Sequence, residues 1–162
     1  MNVKITPDWI LLFARVVTGV VLVYYGWPKF RNLTSNARDF EVMGYRPGVF
    51  WGTLIATIEF VGGLAMLTGL YAELAASLFG FQMIVGAFWK LKIRKPFTDY
   101  SYDLQLLALC VVLMRFGAGR YAPARFDATV FLQWGVVPIV VLMGALIAYL
   151  SRPSMPPADR GK

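Results

Sequence analysis

The feature that most constrains this chain is a series of long apolar segments, because each is long enough to cross a lipid bilayer as a helix. Each holds roughly 17 to 21 residues. A helix rising about 1.5 Å per residue needs about 20 residues to span a hydrocarbon core of about 30 Å. The five segments are residues 9–25, 50–70, 72–91, 100–116 and 130–150. We therefore predict an all-α fold, a polytopic bundle of transmembrane helices in a lipid bilayer.

The composition also favours a membrane protein. Hydrophobic residues make up 58% of the 162 residues and charged residues 15%, whereas a soluble domain carries about 25% charged residues. The mean hydropathy is +0.59. These values exclude an ordinary soluble globular domain.

The basic residues gather at the ends of the apolar segments. Apart from Arg15, which lies inside the first segment, eleven Lys and Arg residues fall on the side that carries the C-terminus and four on the other side. Since loops rich in Lys and Arg remain in the cytoplasm, we predict that the N-terminus lies outside and the C-terminus in the cytoplasm. The net charge of +7 is thus explained by the membrane, and no nucleic-acid partner is expected.

A carboxylate, Glu59, lies near the middle of the second apolar segment. A charge at that depth costs a few kcal/mol on insertion scales, so it needs a partner. Arg15 in the first segment is the predicted partner, and Gln82 in the third segment would join them on helix faces lined by Gly and Ala. Two interpretations stay open: a structural pair that holds two helices together, or a site for a polar head group, a proton or a small ligand.

A second polar cluster is predicted closer to the strongly basic side. Lys29, Lys90 and Asp103 fall near one level of the bundle if each segment is a helix. The two lysines are also typical of residues at helix ends that extend their ammonium groups toward water. Asp103 is equally explained by the positive end of a helix dipole.

The polar connection at 31–47 contains a short predicted helix, residues 35–43. Ser35 or Asn36 would cap its start, because a short polar side chain accepts a hydrogen bond from the free backbone N–H groups there. Its apolar residues share one face, which suits the bilayer surface. They are Ala37, Phe40 and Met43.

The chain has one cysteine, Cys110, and no histidine. Thiol–quinone exchange within the chain needs a pair of cysteines, and haem needs His, Cys or Met as an axial ligand. We therefore assign no catalytic residue, no metal ligands and no haem site. Cys110 lies among aliphatic residues and is interpreted as a buried apolar side chain.

Several short motifs occur in an order that resembles the DoxX family of small bacterial membrane proteins. The resemblance covers residues 10 to about 121. Its motifs are Arg15 with Gly19, 26–30 (GWPKF), 43–47 (MGYRP), 59–64 (EFVGGL), 69–70 (GL), 82–83 (QM), 102–104 (YDL) and 117–121 (GAGRY). The chain departs from the family after the last motif, where residues 122–126 precede Asp127 in place of Ser-Leu-Asp.

The resemblance implies a bacterial inner (plasma) membrane protein with a four-helix core. Residues 1–121 would form that core, and 122–150 a linker with an added fifth helix. Residues 151–162, with three prolines and a glycine, would form a flexible cytoplasmic tail.

The resemblance also implies association with quinone-linked redox systems. The first hypothesis is a membrane subunit of such a complex without its own metal or thiol centre, in which Arg15, Glu59 and Gln82 surround a quinone head group. The second is a non-catalytic accessory or assembly protein that docks on other subunits. The third is a small-molecule transporter or ligand-binding bundle, although no repeats or broken helices support it.

Overall fold

The computed structural model describes residues 8–123, and this part of the chain is helical. It contains α1 (Asp8–Arg31), α2 (Leu33–Val42), α3 (Gly48–Thr68), α4 (Ala72–Lys92) and α5 (Phe97–Phe116). Four of these helices, all but α2, are long and apolar enough to cross a membrane. The predicted helical membrane fold is confirmed. The fifth apolar segment, 130–150, and the tail lie outside the described residues.

The four long helices run alternately up and down, so the bundle has two distinct ends. At one end α1 and α4 finish, α3 and α5 begin, and α2 packs across the start of α3. We call this the basic end because it carries Lys29, Arg31, Lys90 and Lys92 in the last turns of α1 and α4. The opposite end contains the start of α1, the tight turn between α3 and α4, and residues 117–121.

Glycine allows α1 and α3 to approach within backbone contact. A Cβ atom placed on Gly26 would lie 2.6 Å from the Phe60 backbone nitrogen. One placed on Gly63 would lie 2.9 Å from the Val23 backbone nitrogen. Such close packing of small residues is a main source of helix association in lipid, where apolar burial supplies little driving force. These contacts fix the register of the two antiparallel helices.

The short helix α2 is confirmed, but its predicted cap is wrong. It begins two residues earlier than expected, and the Asn32 side chain accepts the capping hydrogen bond from the Ser35 backbone N–H. Asn36 is buried instead and donates from Nδ2 to the Gly52 carbonyl oxygen at 2.6 Å. The amide of Asn36 thus joins α2 to α3.

The predicted position of the apolar face of α2 on the bilayer surface is also wrong. Ala37 is buried against α3, and a Cβ on Gly52 would meet the Ala37 backbone at 2.8 Å. Phe40 and Met43 face an internal cavity rather than lipid. The face that looked interfacial in the sequence therefore closes one wall of the protein interior.

Two neighbouring glycines of α3 provide a direct test of the α1–α3 contact. Among the described residues, a Cβ on Gly62 would meet only the Ala75 Cβ, at an ordinary 3.8 Å. Since Ala favours helix over Gly by about 1 kcal/mol, Gly62→Ala should leave stability unchanged or raise it. Gly63→Ala should destabilise the protein by about 1–3 kcal/mol, because it overpacks the interface. Thermal unfolding in mild detergent measures both, and equal midpoints would contradict the proposed packing.

Candidate functional site

A cavity of ≈ 480 Å³ lies inside the basic end of the bundle. This volume falls within the range of about 300–1,000 Å³ that is typical of small-molecule sites. Most of its wall is apolar or aromatic, including Phe79, Trp51 and Trp89. Its charged and amide side chains come from all five described helices: Lys29, Asn36, Asp39, Glu59, Gln82, Lys90 and Asp103. We call it the basic-end cavity.

Glu59 is a deeply buried carboxylate at the border of this cavity, with 4% of its surface exposed. Its Oε1 accepts a hydrogen bond from Lys29 Nζ at 2.6 Å and another from Gln82 Nε2. Its Oε2 and the Gln82 Oε1 are buried and accept no hydrogen bond from the described residues. A buried acceptor without a partner costs about 1–3 kcal/mol. Both atoms therefore keep acceptor capacity that the described residues leave unused.

A second ion pair lies at the same end of the cavity. Lys90 Nζ donates to both carboxylate oxygens of Asp103, at 2.7 and 2.9 Å, and to the Asp99 carbonyl oxygen at 3.1 Å. Asp103 is 4% exposed and lies beside Gly86, where an added Cβ would be an ordinary 3.7 Å from the carboxylate. Lys29 and Lys90 are partly exposed at the rim. Apart from Arg15, the polar groups that the sequence divided into two clusters thus border one cavity.

The predicted pairing of Arg15 with Glu59 is wrong. The glycine contacts place Glu59 and Phe60 opposite Gly26, so Lys29 is the α1 cation within reach. Arg15 lies eleven residues before Gly26, the α1 position that faces Glu59, or about 16.5 Å away along the helix axis. An arginine side chain cannot bridge that distance. Arg15 does not border the basic-end cavity.

Arg15 instead helps hold the chain at the opposite end. It is 2% exposed, and its Nη1 donates to the Ala118 carbonyl oxygen at 3.2 Å. Glu73, in the first turn of α4, accepts a hydrogen bond from the Ala118 backbone N–H at 3.0 Å. The two side chains therefore bind both backbone groups of Ala118, its carbonyl oxygen and its N–H. We call Arg15, Glu73 and Ala118 the opposite-end clamp.

Sequence reasoning missed Glu73, although two signals pointed to it. It is a carboxylate in the first turn of an apolar segment, and it lies at the same end as Arg15 and the GAGRY motif. Gly69 leaves space for the guanidinium, because a Cβ at that position would lie 2.3 Å from Arg15 Nη1. Its φ of +81° is also a backbone conformation that glycine adopts without strain. The family motifs at 69–70 and 117–121 thus surround one buried arginine.

The clamp should contribute to stability through a hydrogen bond as well as through charge. Glu73→Ala removes the acceptor for the buried Ala118 N–H and should destabilise the protein by about 1–3 kcal/mol. Glu73→Gln keeps an oxygen at that position and should cost less. Thermal unfolding in detergent distinguishes them. Equal loss in the two variants would show that only the charge matters.

Comparison with known proteins agrees with this architecture. The sequence model of the DoxX family matches residues 10–91, which is half of the chain. A protein of Bacillus subtilis (strain 168) named "Putative oxidoreductase CatD" is 30% identical over 105 residues, covering 63% of this chain and 76% of that protein. No solved structure matches the chain. The motifs at 102–104 and 117–121 lie beyond the range of the family match. The chain belongs to the DoxX family of membrane proteins.

Proposed function

We propose that this protein is a membrane subunit of a quinone-linked redox complex and that it holds a quinone or quinol head group in the basic-end cavity. The observation that carries the proposal is the pair of buried acceptor atoms, Glu59 Oε2 and Gln82 Oε1, which belong to two residues that border a largely apolar cavity. The printed name of the Bacillus relative supports redox chemistry for that protein. Electron transfer would require redox centres on other subunits.

The polar groups suit a neutral ring with oxygen atoms on opposite sides. Glu59 Oε2 and Gln82 Oε1 would accept hydrogen bonds from the hydroxyl groups of a quinol. Lys29 and Lys90, at the rim, are donors for the carbonyl oxygens of a quinone. Each lysine already has a carboxylate partner, so the cations are neutralised locally. A neutral ligand fits this balance better than a charged one.

The aromatic wall of the cavity provides a spectroscopic signal for binding. Trp51 and Trp89 both border it, so a bound quinone should quench their fluorescence. Glu59→Gln and Gln82→Leu should each weaken binding of a short-chain quinol by about tenfold, equivalent to about 1.4 kcal/mol. Titration of the purified protein under reducing conditions measures the affinity.

Glu73→Gln is the matched control, because it neutralises a buried carboxylate at the opposite end of the same bundle. It should leave the affinity unchanged. If Glu59→Gln, Gln82→Leu and Glu73→Gln all bind the quinol as the unmodified protein does, the proposed site is wrong.

A second candidate function is that of an accessory protein that docks on other subunits. Its support is the pairing of Lys29 with Glu59 and of Lys90 with Asp103, which is also what purely structural ion pairs would show. In that case protein partners should co-purify stoichiometrically in mild detergent, and Glu59→Gln should disrupt folding or assembly without changing quinone content.

We further propose that the basic end faces the cytoplasm, as the distribution of Lys and Arg predicts. In a Cys110→Ala background, Ser35→Cys on α2 and Arg120→Cys at the opposite end place thiols at exposed positions. In intact cells a membrane-impermeant maleimide should label only the thiol at position 120. Labelling of position 35 in intact cells would show that the basic end faces outward and would contradict this orientation.

A further inference from the structure

We infer that the basic-end cavity opens sideways to the lipid between α1 and α5, through the contact of Tyr25 with Tyr102, and that its ligand is an amphiphile whose apolar tail passes there. The inference rests on the proposed function for the head group and adds the route and the tail. The inference follows from a comparison of the contacts that close the cavity between neighbouring helices.

The walls formed by α3 are closed by backbone packing. Gly26 and Gly63 bring α1 against α3 at distances that leave no room for a Cβ. Gly48 and Gly52 do the same for α2 against α3, where a Cβ on Gly52 would lie 2.9 Å from the Ala37 Cα. Opening either wall would require separation of whole helices.

Two further boundaries are held by α4. Gly80 lies against α5, where a Cβ would be 3.3 Å from the Cys110 Cβ. Trp89 Nε1 donates to the Met43 carbonyl oxygen at 3.2 Å, which joins α4 to the end of α2. Gln82 joins α4 to α3 through Glu59. Each of these boundaries has a buried packing contact or a directed hydrogen bond.

The boundary between α1 and α5 is different. These helices contact each other more sparsely than α1 and α3 or α4 and α5 do. Tyr25 and Tyr102 both border the cavity, and their rings meet edge to face with centroids 5.9 Å apart. Both rings are exposed, Tyr25 at 53% and Tyr102 at 39%. An edge contact between two exposed rings is weak compared with the backbone packing of the other walls, so rotation of one side chain can open this boundary.

The position and chemistry of the opening indicate what passes through it. Both helices carry exposed apolar residues on their outer surfaces, among them Val20 on α1 and Leu104 on α5. Tyrosine is enriched where membrane meets water because its ring is apolar and its hydroxyl polar. A head group on Glu59 and Gln82 with a prenyl or similar chain leaving past Tyr25 would keep the chain in lipid. A ligand without an apolar chain would gain nothing from this route.

A covalent closure of the boundary tests the inference. In a Cys110→Ala background, Tyr25→Cys with Tyr102→Cys places two thiols where the rings meet, and a short bifunctional maleimide joins them. The matched control joins Trp9→Cys with Tyr121→Cys, which replaces another aromatic contact, with centroids 4.8 Å apart, at the opposite end. Both proteins are reconstituted in vesicles. Exchange of a long-chain prenyl quinone is followed by tryptophan quenching.

Closure at positions 25 and 102 before addition of the prenyl quinone should slow its binding by more than about tenfold, and closure after binding should slow its release similarly. The control cross-link should change neither rate. Unchanged exchange after closure at 25 and 102 overturns the lateral route and leaves the head-group site intact. Failure of the protein without cross-linker to bind either the short-chain or the prenyl quinone overturns the proposed function, and the inference with it.

Discussion

The close antiparallel packing of α1 on α3 is the constraint on which the rest of the structure depends. Glycines at 26 and 63 allow backbone contact and leave a single register for the two helices. That register decides which cation of α1 meets Glu59. It brings Lys29 to the carboxylate and carries Arg15 to the other end of the bundle. A change of register would therefore exchange the partners of the most costly buried charges.

The two ends of the bundle use buried charge in different ways. At the opposite end, Arg15 binds the carbonyl oxygen of Ala118 and Glu73 binds its N–H, so both hydrogen bonds go to the protein's own backbone. At the basic end, Gln82 donates to Glu59, and each of the two residues keeps one buried acceptor atom without a partner among the described residues. Arg15 Nε and Glu73 Oε2 at the opposite end are also buried without a hydrogen-bond partner in the described part of the chain, so unpaired atoms alone do not distinguish the two ends. The basic-end cavity distinguishes them, because Glu59 and Gln82 border it and Arg15 and Glu73 do not. This difference is why we propose a ligand at the basic end only.

The fold was largely predictable because long apolar segments have few alternatives in a bilayer. The ends of α3 and α4 were predicted within two residues, but α1 continues to Arg31 through Pro28, beyond the predicted end at residue 25. The association of Gln82 with Glu59 was also predicted, from small-residue faces on both helices. The partner of Glu59 was not, because depths estimated along separate helices cannot reveal register. Glu73 was missed since its partner is a backbone peptide, for which a sequence carries no side-chain signal.

The central claim is that Glu59 and Gln82 hold the ring of a quinone or quinol within the basic-end cavity. Native mass spectrometry of the protein released from membranes in mild detergent tests it most directly, because a retained ligand is identified by the mass that it adds to the protein. The account predicts one quinone or quinol per protein, lost in Glu59→Gln and kept in Glu73→Gln. Absence of quinone from the unmodified protein, or equal retention in both variants, would contradict it.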